Sequence, residues 1–89
     1  MKSKWTYATY DVWGNEEDGF EVNNVFRGNT EFEMDGDKDA EILRAAKNYL
    51  GLKSSLKLKD LELEGDDTVI YVNSAKDAYP LGEFNKVGK

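Results

Sequence analysis

Apolar and polar positions follow two different rhythms along this chain, and each change of rhythm marks an element. Between Asp37 and Gly51 (DKDAEILRAAKNYLG), Ile42, Leu43, Ala46, Tyr49 and Leu50 recur at the three- and four-residue spacing of one helical stripe, while Arg44, Lys47 and Asn48 point elsewhere. Asp35, Asp37 and Asp39 crowd the start, where carboxylates cap free N–H groups and meet the positive end of the helix dipole. Gly51 supplies a left-handed stop. Such a stripe needs a sheet to lie on, and the rest of the chain reads as strands.

Residues 4–13 (KWTYATYDVW) are aromatic and β-branched, with Trp5, Tyr7 and Trp13 on one parity and Tyr10 and Val12 on the other, which predicts a strand covered on both faces or lying centrally. The turn sequence GNEEDG at 14–19 folds the chain back into FEVNNVF. There Phe20 and Val22 share a face, and Asn23 and Asn24 break the alternation before Val25 and Phe26, the mark of a bulge. Gly28 and Asn29 punctuate a second turn, after which Phe32 and Met34 face in and Glu31 and Glu33 face out. Beyond the helix, Leu56 and Leu58 fall on even positions and Leu61 and Leu63 on odd ones, so a bulge near Lys59 and Asp60 or a break into two strands is required. A turn at Glu64–Asp67 leads to 68–72, apolar on both parities and the best candidate for a central strand. Residues 73–79 read as a loop. Pro80 makes the last segment, PLGEFNKV, an edge strand or irregular tail anchored by Leu81 and Phe84. The order is βββαββ(β): a single α+β domain, residues 1–89, with a mostly antiparallel sheet of five or six strands and one helix packed on one face.

Size limits the core. A domain of 89 residues buries about 60–65% of the surface its unfolded chain exposes, so two Trp, five Tyr and four Phe carry much of the packing. The longest purely apolar run, Val69–Val72, is far short of the roughly 20 residues that span a bilayer, and the opening MKSKWTY lacks the apolar segment of a secretory signal. The expectation is a soluble cytoplasmic protein with no membrane partner.

Charge adds an asymmetry. The formal net charge is −6, which repels nucleic acid and anionic membranes at long range and favours basic partners. Residues 11–41 hold eleven carboxylates against Arg27 and Lys38, a net −9, whereas 42–59 hold five cations and no acid. Solvated faces combined with helix-dipole bias account for this distribution. So does an acidic surface made for a basic groove, which would comprise Glu16, Glu17, Asp18, Glu31, Glu33, Asp35 and Asp37.

With no His and no Cys, the commonest general base, the thiol nucleophile and most transition-metal sites are missing, and no disulfide is possible. Asp35, Asp37 and Asp39 open like a calcium loop, but Ala40 stands where the turn needs Gly and Ala46 where a bidentate Glu closes the site. Glu16, Glu17 and Asp18 at one turn, and Asp66 and Asp67 at another, have the chemistry to chelate magnesium or hold Lys and Arg, yet turn tips are also where solvated acids cost least. Ser54 and Ser55 beside Lys53 have no surrounding elbow motif. No cofactor, metal site or enzymatic activity is expected. Trp5, Tyr7, Tyr10 and Trp13 on the aromatic strand, with Lys2 and Lys4 nearby and Lys53, Lys57 and Lys59 as a basic edge, suit a single-stranded nucleic-acid platform, although a core strand has the same composition.

The stretch TYDVWGNEEDGFEVNN, with Asp11, Trp13, Gly14, Asp18, Gly19, Glu21, Val22 and Asn23, resembles a group of short uncharacterised proteins of tailed bacteriophages and prophages. The acidic helix start, the Leu-rich charged strand and the closing segment with a Gly and a Phe fit the same group more loosely. The resemblance implies a setting, a mobile element in a bacterial cytoplasm, and no catalytic residues. The leading expectation is an accessory protein that binds a protein with a basic surface, as an inhibitor or DNA mimic directed at a host defence or nucleic-acid-handling protein. The aromatic nucleic-acid platform and a structural role, with the Pro80–Val87 segment pairing with a neighbour, are the alternatives.

Overall fold

Six antiparallel strands form one sheet, and a single helix lies on one of its faces in the computed structural model, which describes residues 1–88. The strands are β1 (Ser3–Asn15), β2 (Gly19–Arg27), β3 (Phe32–Met34), β4 (Leu61–Gly65), β5 (Val69–Ser74) and β6 (Pro80–Lys86), and the helix is α1 (Asp39–Tyr49). The sheet order is β2-β1-β6-β5-β4, with β3 pairing β1 as well.

The thirteen-residue β1 organises the sheet because it has more length than any one partner can use. Its first part pairs with β3 (Ser3↔Met34 to Trp5↔Phe32) and with β6 (Trp5↔Lys86 to Ala8↔Glu83). From Ala8 onward it pairs with β2, as far as Asn15↔Gly19. Beyond Ala8, therefore, β1 and β2 run on as a two-stranded ribbon past the last β6 pairing. Gly14, at φ 115, closes the ribbon where an added Cβ would strike the Gly19 carbonyl. The expected bulge is present: Asp11 faces Asn24 and Val12 faces Val22, which leaves Asn23 without an opposite number.

Parity then sorts the side chains. Trp5 and Tyr7 of β1, Phe32 and Met34 of β3, Leu61 and Leu63 of β4, Ile70 and Val72 of β5 and Phe84 of β6 point to the helix and pack with Ile42, Ala45 and Ala46. The Tyr49 ring stacks on Phe32 (centroids 4.1 Å apart) and on Tyr7 (5.4 Å), and Phe32 meets Phe84 edge-on at 5.6 Å. The Trp5 indole N–H donates to the Met34 carbonyl at 3.1 Å, so the buried ring leaves no polar atom unpaired.

As expected, 69–74 is an interior strand, paired with β6 on one edge and β4 on the other. Two expectations need correction. The last segment is not an edge or tail, since β6 lies between β1 and β5. Pro80 is compatible with this position because it is the first residue of β6 and sits at a register shift, where Asn73 faces Pro80 but Val72 faces Gly82. Glu83–Lys86 is paired with β1 on one edge, and Pro80–Asn85 with β5 on the other, so only the start of the segment has an edge open to a neighbour. The helix is also shorter than 37–51. It starts at Asp39 behind Lys38, whose side chain makes no cap, and Asp35 instead accepts from the Asp37 N–H (3.0 Å) and from the amino terminus (2.8 Å). Gly51 does take the left-handed conformation, at φ 70. The Leu parity conflict is settled by a break: a 3-10 turn at Leu58–Asp60 precedes β4, and the Asp60 carboxylate accepts from the Lys57 N–H at 2.9 Å.

Candidate functional site

The helix covers one face of the sheet, and among the described residues no helix lies on the other. Cross-strand pairing draws one row over that open face: Arg27 of β2, Ala8 of β1, Glu83 of β6, Tyr71 of β5 and Glu64 of β4 are neighbours in turn. A second row carries Val25 and Tyr10, and a third Val22 and Val12. Val22 and Val25 are three residues apart and would face opposite ways in a regular strand; the extra residue at the bulge puts both on the open face.

A shallow groove of about 390 Å³ crosses this face. Side chains from all five strands of the main path line it: Val22 and Val25 (β2), Tyr10 (β1), Pro80 and Glu83 (β6), Tyr71 (β5) and Glu64 (β4). Lining from both outer strands requires a sheet curved around its open side, as sheet twist and the two register shifts favour.

Glu83 is the polar centre of the groove and is only 8% exposed. The Tyr10 hydroxyl donates to its Oε1 at 2.9 Å and the Asn85 amide to its Oε2 at 2.8 Å, and Arg27 Nη1 stands 3.8 Å from Oε2. Burial, and next the bond to the Glu83 carboxylate, push the Tyr10 hydroxyl well above the ordinary phenol range, so Tyr10 is a fixed donor. Glu64, one strand beyond Tyr71, is exposed and belongs to no ion pair among the described residues.

On the ribbon the helix no longer reaches the other face either. Trp13 is 61% exposed and Phe26 56% there, while Val22 and Val25, each 42% exposed, stand on the open side. Phe20 finds a partner across the groove mouth in Tyr79 of the β5–β6 turn, with centroids 4.9 Å apart. Two further depressions lie elsewhere on the surface. One, about 350 Å³, runs between β3 and α1 and is edged by Lys2, Glu33, Glu41 and Arg44. The other, about 550 Å³, lies beside the 3-10 turn and is edged by Ser55, Lys59, Asp60 and Lys76.

The acidic residues singled out in the sequence do not form one patch. Glu16, Glu17 and Asp18 sit at the ribbon tip beyond Asn15, whereas Glu31, Glu33, Asp35 and Asp37 cluster where β3 meets Lys4 at the other end of β1. Eleven residues of extended chain separate the groups, roughly 36 Å, nearly the 39 Å length of the molecule. Asp35 is buried besides, with its carboxylate held below the usual range by the amino terminus and then by the Asp37 N–H. The aromatic nucleic-acid platform is not formed: Trp5 and Tyr7 lie under the helix, Tyr10 lines the groove on the opposite face, and Lys53, Lys57 and Lys59 are exposed in the α1–β4 connection. Of the residues that build the groove, the sequence singles out Tyr10 only as part of the aromatic strand, and Val22, Val25, Glu64, Tyr71 and Glu83 not as a site. The double apolar parity of β1 and the bulge in β2 were the available signals, and both concern Tyr10, Val22 and Val25. No group of three or more carboxylates converges as a metal cage among the described residues, and none of their helices is long and apolar enough to cross a membrane. No family model, curated protein or solved structure matches the chain.

Proposed function

We propose that this protein is an accessory protein of the tailed-phage type that works by binding another protein, without turnover. The observation that carries this reading is the ribbon of residues 9–15 and 19–27, which holds Trp13 and Phe26 out on one side and Val22 and Val25 on the other. Large exposed apolar residues gathered on one projecting element of a small domain mark a contact surface, and an apolar centre with a polar rim is the usual anatomy of one. Here the rim is acidic: Glu16, Glu17 and Asp18 at the tip and Glu21 beside Trp13. That pattern favours a partner with a basic margin around an apolar centre. It also favours capture over DNA mimicry, since a mimic needs its charges along one line and these are split between the two ends of β1.

The test is affinity capture from a bacterial lysate with three proteins: the native chain, a Trp13→Ser/Phe26→Ser variant, and a variant with Glu16, Glu17 and Asp18 all changed to Lys. A specific partner retained by the native chain is lost from the first variant and weakened with the third protein, while both variants keep the native circular dichroism. Retention of the same partner by all three removes the ribbon from its role. Loss only on charge reversal of Glu31, Glu33 and Asp37 would move the surface to the other end of the molecule.

A further inference from the structure

We infer that the groove on the open face receives one arginine or lysine side chain, presented by an extended segment of the protein partner, with the cation seated over the Tyr71 ring between Glu64 and Glu83. The inference rests on the proposed role as a binder and names what its open face takes.

Three features of the groove point to this chemistry. First, the order Glu64–Tyr71–Glu83 across β4, β5 and β6 sets an aromatic face between two carboxylates on adjacent strands, each about 4.8 Å away in the pairing direction. A ring beside the exposed Glu64 carboxylate attracts a cation through its quadrupole and through that charge, and Glu83, already shared with Arg27, adds a smaller part. Second, the protein's own guanidinium already approaches this centre. Arg27 reaches toward Glu83 from the far side but stops at 3.8 Å, beyond hydrogen-bond distance, and stays 68% exposed. It leaves Glu64 and the Tyr71 face untouched. Third, the apolar remainder of the groove, made by Tyr10, Val22, Val25 and Pro80, fits the methylene stem of a long cationic side chain and the apolar neighbours that an extended segment places beside it. Among the described residues Glu64 has no ion-pair partner, and the pairing puts Glu62 next along β4 and Asn73 next along β5.

Glu83 cannot be the variable partner in a test, because it is buried and holds Tyr10 and Asn85. Glu64 and Tyr71 are exposed and are suited to it. The experiment is a two-dimensional amide NMR titration of the full chain with the capped peptide acetyl-Thr-Val-Arg-Val-Thr-amide, against the same peptide carrying citrulline, the uncharged isostere, in place of Arg. The Arg peptide shifts the amides of Tyr10, Val25, Glu64, Tyr71 and Glu83 and binds more tightly than the citrulline peptide by roughly three- to tenfold. Glu64→Gln and Tyr71→Ala each lower affinity for the Arg peptide toward that of the citrulline peptide without altering the rest of the spectrum. Equal binding of the two peptides overturns the inference, as does an absence of shifts up to the solubility limit. Shifts confined to Glu16–Asp18 would overturn the groove as the site and leave the ribbon reading standing.

Discussion

Tyr10 and Glu83 show how one buried polar pair fixes both a conformation and a pH response. Tyr10→Phe removes a donor from a carboxylate that has almost no access to water, and the expected loss is about 1–3 kcal/mol in urea unfolding near neutral pH. Because folding raises the Tyr10 pKa, the stabilisation is fully present below the unfolded value of about 10 and is lost as pH rises above it, when the unfolded chain gives up the proton that the folded chain keeps. Urea midpoints taken across that range fall for the native protein and fall less for Tyr10→Phe. Asp66 behaves in the opposite sense. Its carboxylate accepts from the Thr68 N–H and hydroxyl (both 2.8 Å) and from the Val69 N–H (3.2 Å), and these bonds depress its pKa. Its contribution is complete above the unfolded value of about 3.9 and disappears as pH falls through the lower folded value. Asp66→Ala is therefore less stable than the native chain near neutral pH and converges with it in acid, a difference that thermal melts at several pH values read directly.

Among the elements, β6 departs furthest from its sequence. Its middle, Gly82–Phe84, is buried between two strands, and an added Cβ at Gly82 would come within 2.8 Å of the Ala8 carbonyl and 2.7 Å of Leu50. Backbone cannot yield as a side-chain tip can, so Gly82→Ala is expected to cost about 1–3 kcal/mol by overpacking, and the midpoint of chemical unfolding measures it. This also shows why β6 was hard to place. Proline and glycine within seven residues are the ordinary marks of an edge or a tail, and only the pairing partners reveal that Pro80 lies at a register shift and that Gly82 lets β1 and Leu50 come close. Elements whose signals are local were legible: the stripe of α1, its Gly51 stop, the turn at 14–19 and the Asn23 bulge all follow from neighbours in sequence. The helix start was misread because three aspartates compete for one role, and Asp35 turns toward the amino terminus and Asp37. The groove was legible only in part. Glu64, Tyr71 and Glu83 become neighbours through strand order, which no single stretch of sequence encodes, whereas the exposed apolar parity of β1 could have suggested a second contact face.

At the scale of the whole molecule, the same length of β1 that builds the core also carries a ribbon out of it, and the two parts have different sources of stability. The body is held by residues packed between sheet and helix, with Phe84, Met34 and Val72 fully covered. The ribbon has pairing to one partner strand, the Phe20–Tyr79 contact and, at its base, the Tyr10 hydrogen bond and the Arg27 ion pair to Glu83, and a two-stranded ribbon is marginal alone. Local opening of the ribbon therefore requires less free energy than global unfolding, because it exposes apolar groups that are already partly in water. Hydrogen exchange is expected to separate them: amides of Val72 and Phe84 exchange only with global unfolding, and those of Val12 and Val22 exchange faster through local opening. Replacing Glu16, Glu17 and Asp18 with Lys is expected to change neither the exchange of the body nor its stability to urea by more than about 0.5 kcal/mol, since exposed charges at a turn tip are worth little and Asp18 accepts only a long, exposed bond from the Asn15 amide. Slow, uniform exchange through ribbon and body would show a single cooperative unit and contradict this division. If the division holds, substitutions on the ribbon alter partner binding at constant fold stability, and a bound partner slows exchange at Val12 and Val22 before it affects Phe84.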